Sequence, residues 1–178
     1  MKYIDFENTW RGKYLTVLNP GKQCFDLVVK WARDLGVPNY PGHPSMFPYL
    51  YAYQIYTNFG SFQAMYFDRI YNSVTAIPKE GDILVWGSYY NGGPGHTAVC
   101  KSGVQANLQA FSQNDPTGSV CIVKTYNYNN ILGWLRPKAY NTVPPLTDAQ
   151  IVKAHKDIVN TGMSDTDYRN KSRTLLNV

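Results

Sequence analysis

Apolar residues recur at helical spacing after Cys24. The residues 3, 4, 7 and 11 positions beyond it are Leu27, Val28, Trp31 and Leu35. They share one helical face, and the pattern predicts a helix over about residues 23–36 that ends at Gly36, with Pro38 beyond it. Cys24 then lies on the first helical turn, where unpaired N–H groups and the helix dipole favour an anion. We therefore expect its thiol to be pushed toward thiolate.

Further along the chain the pattern changes from helical to strand-like. Residues 1–19 form a lead-in, a second helix is predicted from Ser45 to about Tyr56, and a third over about 61–71. Short apolar runs separated by turn residues then predict strands. These are Ile83–Trp86, Thr97–Lys101, Gln105–Phe111, Val120–Lys124 and Ile131–Leu135. Helices followed by an antiparallel sheet predict an α+β fold.

The C-terminal part has a different character. Residues 141–146, with Pro144 and Pro145, are typical of a linker after a domain of residues 1–140. Residues 147–178 predict two short helices, and such a segment is too short to hold a core of its own. It either docks on the preceding domain, oligomerises or begins a wall-binding module.

A nucleophilic cysteine needs a base, and the chain has three histidines. His96 follows a glycine-rich turn and opens an apolar run, which favours a defined position at the start of a strand. His43 in a proline-rich loop and His155 in the tail are expected to be bystanders. On position alone Cys24 suits a buried structural role as well as a catalytic one.

Five segments, in order, resemble the CHAP family, the cysteine- and histidine-dependent amidohydrolases and peptidases. They span roughly residues 10–140, and each alone is a weak signal. They are Gly21–Asp26, Pro78–Trp86, Gly93–Val99, Ser112–Ser119 and Leu132–Pro137. The resemblance implies a papain-like fold, with N-terminal helices packed on an antiparallel sheet.

The same resemblance implies a peptidoglycan hydrolase of the phage lysin type, acting as an endopeptidase or as an N-acetylmuramoyl-L-alanine amidase. It implies Cys24 as nucleophile and His96 as base. The family usually has an acidic residue at Ser112 and Trp at Asp115. Asn114 is retained, and we assign it the role of orienting the imidazole, with Ser112 as the alternative third member. Gln23 suits an oxyanion donor and a plain helix-start role equally.

Net charge and residue spacing limit the classes of partner and cofactor that we expect. The net charge of +5 favours a polyanionic wall in a general way, and no two Lys or Arg are adjacent, so specific nucleic-acid binding is not expected. No Cys/His pair has zinc-ligand spacing, and residues 14–23 hold no Asp or Glu for calcium, so we expect no metal or other cofactor. Three cysteines leave a Cys100–Cys121 bridge open. The oligomeric state is not indicated.

The sequence also bears on where the protein is made and acts, and it leaves a non-catalytic role open. The N-terminus has no signal-peptide pattern and no stretch is long enough to insert in a membrane, so we expect synthesis in a host cytoplasm. Action on bacterial peptidoglycan would follow release by a holin, or the protein would be part of a virion. The alternative is a non-catalytic module that binds wall or glycan, or a structural component of a tail tip. The 15 tyrosines and the missing acid at Ser112 favour that alternative.

Overall fold

The computed structural model describes residues 1–18, 21–38, 51–104 and 107–140. Met1–Asn141 form one compact unit. The predicted linker, the helical tail, His43, His155 and the start of the second predicted helix lie outside the described residues. The domain boundaries therefore stay a prediction.

The described residues have an α+β fold, as predicted. The helices are α1 (Tyr3–Trp10), α2 (Cys24–Asp34), α3 (Gln54–Thr57) and α4 (Ser61–Tyr66). The strands are β1 (Phe67–Tyr71), β2 (Ile83–Trp86), β3 (His96–Gly103), β4 (Leu108–Ser112), β5 (Ile122–Tyr126) and β6 (Ile131–Pro137). Short 3₁₀ turns occupy Tyr90–Gly92 and Lys138–Tyr140. The strands form one antiparallel sheet in the order β1-β6-β2-β3-β4-β5.

Helix α2 lies against one face of this sheet. Its apolar stripe joins alternate residues of β2, Ile83 and Val85, in a core around the fully buried Trp31. The Trp31 indole N–H donates to the Gly81 carbonyl at 2.8 Å, which ties the helix to the turn before β2. Leu84 lies in a second apolar cluster, because successive side chains of a strand point to opposite faces. Both sides of the central strands are therefore covered.

Residues 1–19 are predicted as a lead-in without a helix of its own. This is wrong, because residues 3–10 form helix α1. Only Tyr3 and Phe6 of its apolar residues are fully buried. The apolar face of the helix is therefore narrow, and the sequence pattern that would indicate it is weak. Phe6 packs on Trp31 with ring centroids 5.1 Å apart. The helix is thus defined by a contact with α2 that local spacing does not reveal.

The third predicted helix is wrong in its second half. Helix α4 ends at Tyr66, and Phe67–Tyr71 continue as strand β1 beside β6. In the register Tyr71 pairs with Gly133. Gly133 has φ +155°, and a Cβ there would collide with the Ile70 carbonyl oxygen, so glycine permits this close approach of the strands. Pairing with a segment about 65 residues away overrides the local pattern.

No helix within the four described ranges combines the length and the apolar composition needed to cross a bilayer.

Candidate active site

Cys24 is the first residue of α2, and the chain before it is held by a buried carboxylate. Asp26 Oδ1 accepts the N–H groups of Val17 and Leu18 at 2.7 Å each. Its Oδ2 accepts the N–H of Gln23 at 2.9 Å. A side-chain oxygen at the third helical position satisfies N–H groups that the helix leaves unpaired. This fixes the direction from which the chain enters the helix, and with it the position of the half-buried Cys24 thiol.

His96 is the first residue of β3 and is 1% exposed. Three aromatic rings surround its imidazole: Trp86 at 5.4 Å, Tyr90 at 5.6 Å and Tyr126 at 6.0 Å between centroids. The preceding Gly95 has φ +69°, and a Cβ there would lie 2.6 Å from the Trp86 carbonyl oxygen. The turn that positions His96 therefore requires glycine at residue 95.

Thr97 connects the histidine strand to the cysteine helix. It follows His96 directly, and its backbone and hydroxyl groups lie near enough to the Cys24 thiol to lower the pKa of that thiol. The Thr97 hydroxyl is buried and has no hydrogen-bond partner among the described residues. The structure therefore brings the Cys24 thiol close to Thr97, the residue that follows His96 at the start of β3.

The hydrogen bonds of the imidazole to described residues all involve Nε2. Ser112 Oγ lies 2.8 Å from Nε2, and Tyr126 Oη lies 3.4 Å from it. Asp115 Oδ2 is 3.8 Å away. Nδ1 makes no such bond within the described ranges. Ser112, the last residue of β4, thus occupies the orienting position.

Asn114, assigned from sequence as the orienting residue, is bonded elsewhere. Its Nδ2 donates to Gln23 Oε1 at 2.9 Å, and its Oδ1 accepts the Gly118 N–H at 2.7 Å. Its φ of +59° suits the left-handed turn that an Asn tolerates. Asn114 therefore acts on the cysteine side of the site, where it fixes the Gln23 amide, and the imidazole is held by Ser112.

Gln113 links the end of β4 to the segment before α2 through side-chain hydrogen bonds. Its Nε2 donates to the carbonyl oxygens of Leu15 and Gln23, each at 2.9 Å. Its Oε1 accepts the Leu15 N–H at 2.6 Å and the Cys121 thiol at 3.1 Å. A fully buried amide with these four partners fixes the distance between the end of β4 and the start of α2. No sequence signal points to this role beyond the position of Gln113 in the Ser112–Ser119 segment.

Burial is the largest influence on the pKa values of His96 and Cys24. It lowers the pKa of His96 to about 4, against a smaller opposing effect of the Asp115 charge. It also raises the pKa of the Cys24 thiol, and the nearby polar groups of Thr97 only partly offset this. The expectation of a thiolate on the first helical turn is corrected here, because desolvation outweighs the helix terminus. The resting pair is a neutral thiol beside a neutral imidazole.

The other cysteines are free, buried thiols, so the open possibility of a Cys100–Cys121 bridge is excluded. Cys100 and Cys121 belong to the two separate apolar clusters. In the described part of the chain, no three His, Cys, Asp or Glu side chains gather as a candidate metal-binding group.

Comparison with known proteins finds structural similarity only. No protein-family model and no curated protein matches the chain. The endolysin LysIME-EF1 matches with 26% identity and a TM-score of 0.55, over 77% of this chain and 64% of that one. Ly7917 matches with 14% identity and a TM-score of 0.57, over 78% of this chain and 63% of that one. Ly7917 with the hydrolysing product of MDP matches at 15% and 0.56, over 76% and 61%.

These similarities agree with the fold derived from the sequence. The chain spans a little under two thirds of the length of each of these structures. The described α+β domain thus has the fold of a domain found in an endolysin.

Proposed function

We propose that this chain is the CHAP-like catalytic domain of a peptidoglycan hydrolase of the phage lysin type. It cleaves an amide bond of the stem peptide or the cross-bridge, as an endopeptidase or an amidase, with Cys24 as nucleophile. The observation that carries the proposal is the placement of Cys24 at a helix start and close to Thr97, the residue that follows the buried His96, whose Nε2 is held by Ser112. A nucleophile, a base and a group that orients the base form this arrangement.

The proposed reaction is acyl transfer through a thioester. His96 Nδ1 accepts the Cys24 proton as the sulfur attacks the amide carbonyl carbon, since neither group is charged at rest. The imidazolium then donates that proton to the leaving nitrogen as the C–N bond breaks, which leaves an acyl group on sulfur. Water, deprotonated by His96, attacks the thioester and releases the acid and the free thiol. Ser112 holds the ring throughout.

The oxyanion of each tetrahedral intermediate needs hydrogen-bond donors beside Cys24. The backbone N–H of Cys24 at the helix start is one candidate donor. The Gln23 amide is the second: Asn114 fixes its oxygen, one N–H of its NH₂ group donates to the Gly21 carbonyl at 3.4 Å, and the other N–H is the one proposed to meet substrate. The proposed site of action is the bacterial cell wall, reached after holin release or from a virion.

Loss of turbidity of a purified cell-wall suspension tests the function. We expect the wild-type chain to clear the walls and Cys24→Ala to fold but lose essentially all activity. Cys100→Ala is the matched control, because it removes a buried thiol of the second apolar cluster. Mass spectrometry of the digest identifies the bond that is cut.

Two results would contradict the proposal. One is clearing by Cys24→Ala at the wild-type rate. The other is a wild-type protein that sediments with walls without clearing them, which is the behaviour of the alternative wall-binding module.

A further inference from the structure

Asp115 is a buried carboxylate beside the candidate base that the sequence did not single out. It is 4% exposed. Its Oδ2 accepts hydroxyl hydrogen bonds from Tyr90 at 2.9 Å and Tyr126 at 2.8 Å, and lies 3.8 Å from His96 Nε2. Its Oδ1 pairs with Lys124 Nζ at 3.0 Å. Both oxygens are thus fixed, and one of them faces the imidazole.

The surroundings keep this carboxylate charged. Burial opposes ionisation, but the hydrogen bonds from Lys124 and Tyr126 outweigh it, so the pKa of Asp115 lies below its usual value. Burying a charge is costly unless it is paired and hydrogen-bonded, and this one has both kinds of partner. Two of those partners, Tyr90 and Tyr126, also pack on the His96 ring. The network therefore orients a negative charge toward Nε2.

Few charged or titratable groups face His96 from the elements around it. The Cys24 thiol lies on the α2 side, Tyr90 on the 3₁₀ turn, and Tyr126 and Lys124 on β5. Burial raises the pKa of both tyrosine hydroxyls, so they are neutral donors near pH 7. Among the described groups, Asp115 is the anion beside the ring, and the Lys124 cation opposes it.

We propose that Asp115 is a positioning residue that stabilises the His96 imidazolium formed during the reaction, while Ser112 supplies only a neutral hydrogen bond. The inference rests on the proposed function. Ser112 Oγ touches Nε2 but carries no charge, so it cannot balance the positive charge that appears when the ring takes the thiol proton. Asp115 Oδ2 lies 3.8 Å from Nε2, farther than Ser112 Oγ at 2.8 Å, and supplies the negative charge that balances the imidazolium. It also favours the tautomer with hydrogen on Nε2, which leaves Nδ1 free to accept the proton.

Two readouts test this role. Asp115→Asn should lower kcat about 10²-fold with little change in KM, because a charge that acts mainly after proton transfer stabilises the transition state more than bound substrate. In a Cys24→Ala background at pH 7, ¹⁵N NMR of the His96 ring should show hydrogen on Nε2, and Asp115→Asn should increase the Nδ1–H form. Asp115→Ser replaces Asp115→Asn if the latter fails to fold.

The controls separate charge from structure. Asp68→Asn makes the same change in an exposed carboxylate of β1, which pairs with Lys138, and should not reproduce the loss of kcat. Ser112→Asp added to Asp115→Asn should restore much of kcat, because a carboxylate at residue 112 can reach Nε2 directly.

The proposal is overturned if Asp115→Asn leaves kcat and the tautomer unchanged. It is also overturned if Asp68→Asn causes the same loss, or if the carboxylate at residue 112 gives no rescue. The NMR arm needs no turnover, so failure of the proposed hydrolase function would be distinguishable from failure of this inference.

Discussion

The low pKa of His96 predicts a specific loss of stability in acid. The folded-state pKa is about 4, against about 6.5 for an unperturbed imidazole. A group whose pKa is depressed on folding takes up its proton in the unfolded chain first. The free energy of unfolding therefore falls as the pH drops from about 6.5 toward about 4, and the loss stops below that. Each pKa unit is worth about 1.36 kcal/mol, so the full contribution of His96 is about 3 kcal/mol.

Replacing the ring isolates this contribution from every other titrating group. His96→Gln keeps a hydrogen-bonding side chain beside Ser112 but does not titrate. Any stability lost through the substitution itself is the same at both pH values and cancels in the comparison. Between pH 7 and pH 4.5 the chain with His96 should lose about 2 kcal/mol more than the chain with Gln.

Urea unfolding followed by tryptophan fluorescence measures this difference. Both chains carry Cys24→Ala, which removes the neighbouring thiol. The signal is favourable because Trp86 packs directly on the His96 ring. Equal losses in the two chains would refute the reasoning, since they would mean that the imidazole has the same pKa folded and unfolded. The same low pKa should place the acid limb of kcat/KM near pH 4, because the base must be neutral to accept the thiol proton.

Two further outcomes are expected. Ser112→Ala should lower kcat/KM by about 10-fold to 10²-fold, since it removes a hydrogen bond to a ring that becomes charged, whereas Asn114→Ala should cost no more than about 10-fold; a reversed order in the wall-clearing assay would return the orienting role to Asn114. EDTA should leave activity intact, because residues 14–23 hold no carboxylate and both oxygens of Asp26 already accept backbone N–H groups; loss of activity restored by calcium would show a metal requirement.

The sequence by itself determined the elements whose signal is local. The apolar stripe of α2, its end near Gly36 and the runs that become β2 to β6 are properties of spacing and turn residues. They sufficed for the α+β class, which the structure confirms. They also placed Cys24 on the first turn of α2 and His96 at the start of β3, because both positions depend on glycine-containing turns next to them.

Tertiary structure decided the features that depend on distant partners. Phe67–Tyr71 is a strand because β6 pairs with it, and α1 is defined by packing on Trp31. The side chains at the end of β4 and just after it contact different parts of the site, and the chain order does not reveal which of them face His96. Ser112 and Asp115 reach the ring, whereas Asn114 reaches Gln23.

The protonation of the site was also beyond the sequence. A helix start alone favours a thiolate, and only the folded chain shows how much water is excluded from Cys24 and His96. Desolvation depends on every element packed around a group, so spacing along the chain carries little information about it. The positions of Cys24 and His96 at the starts of α2 and β3 thus follow from local sequence, whereas their charge state depends on the whole fold.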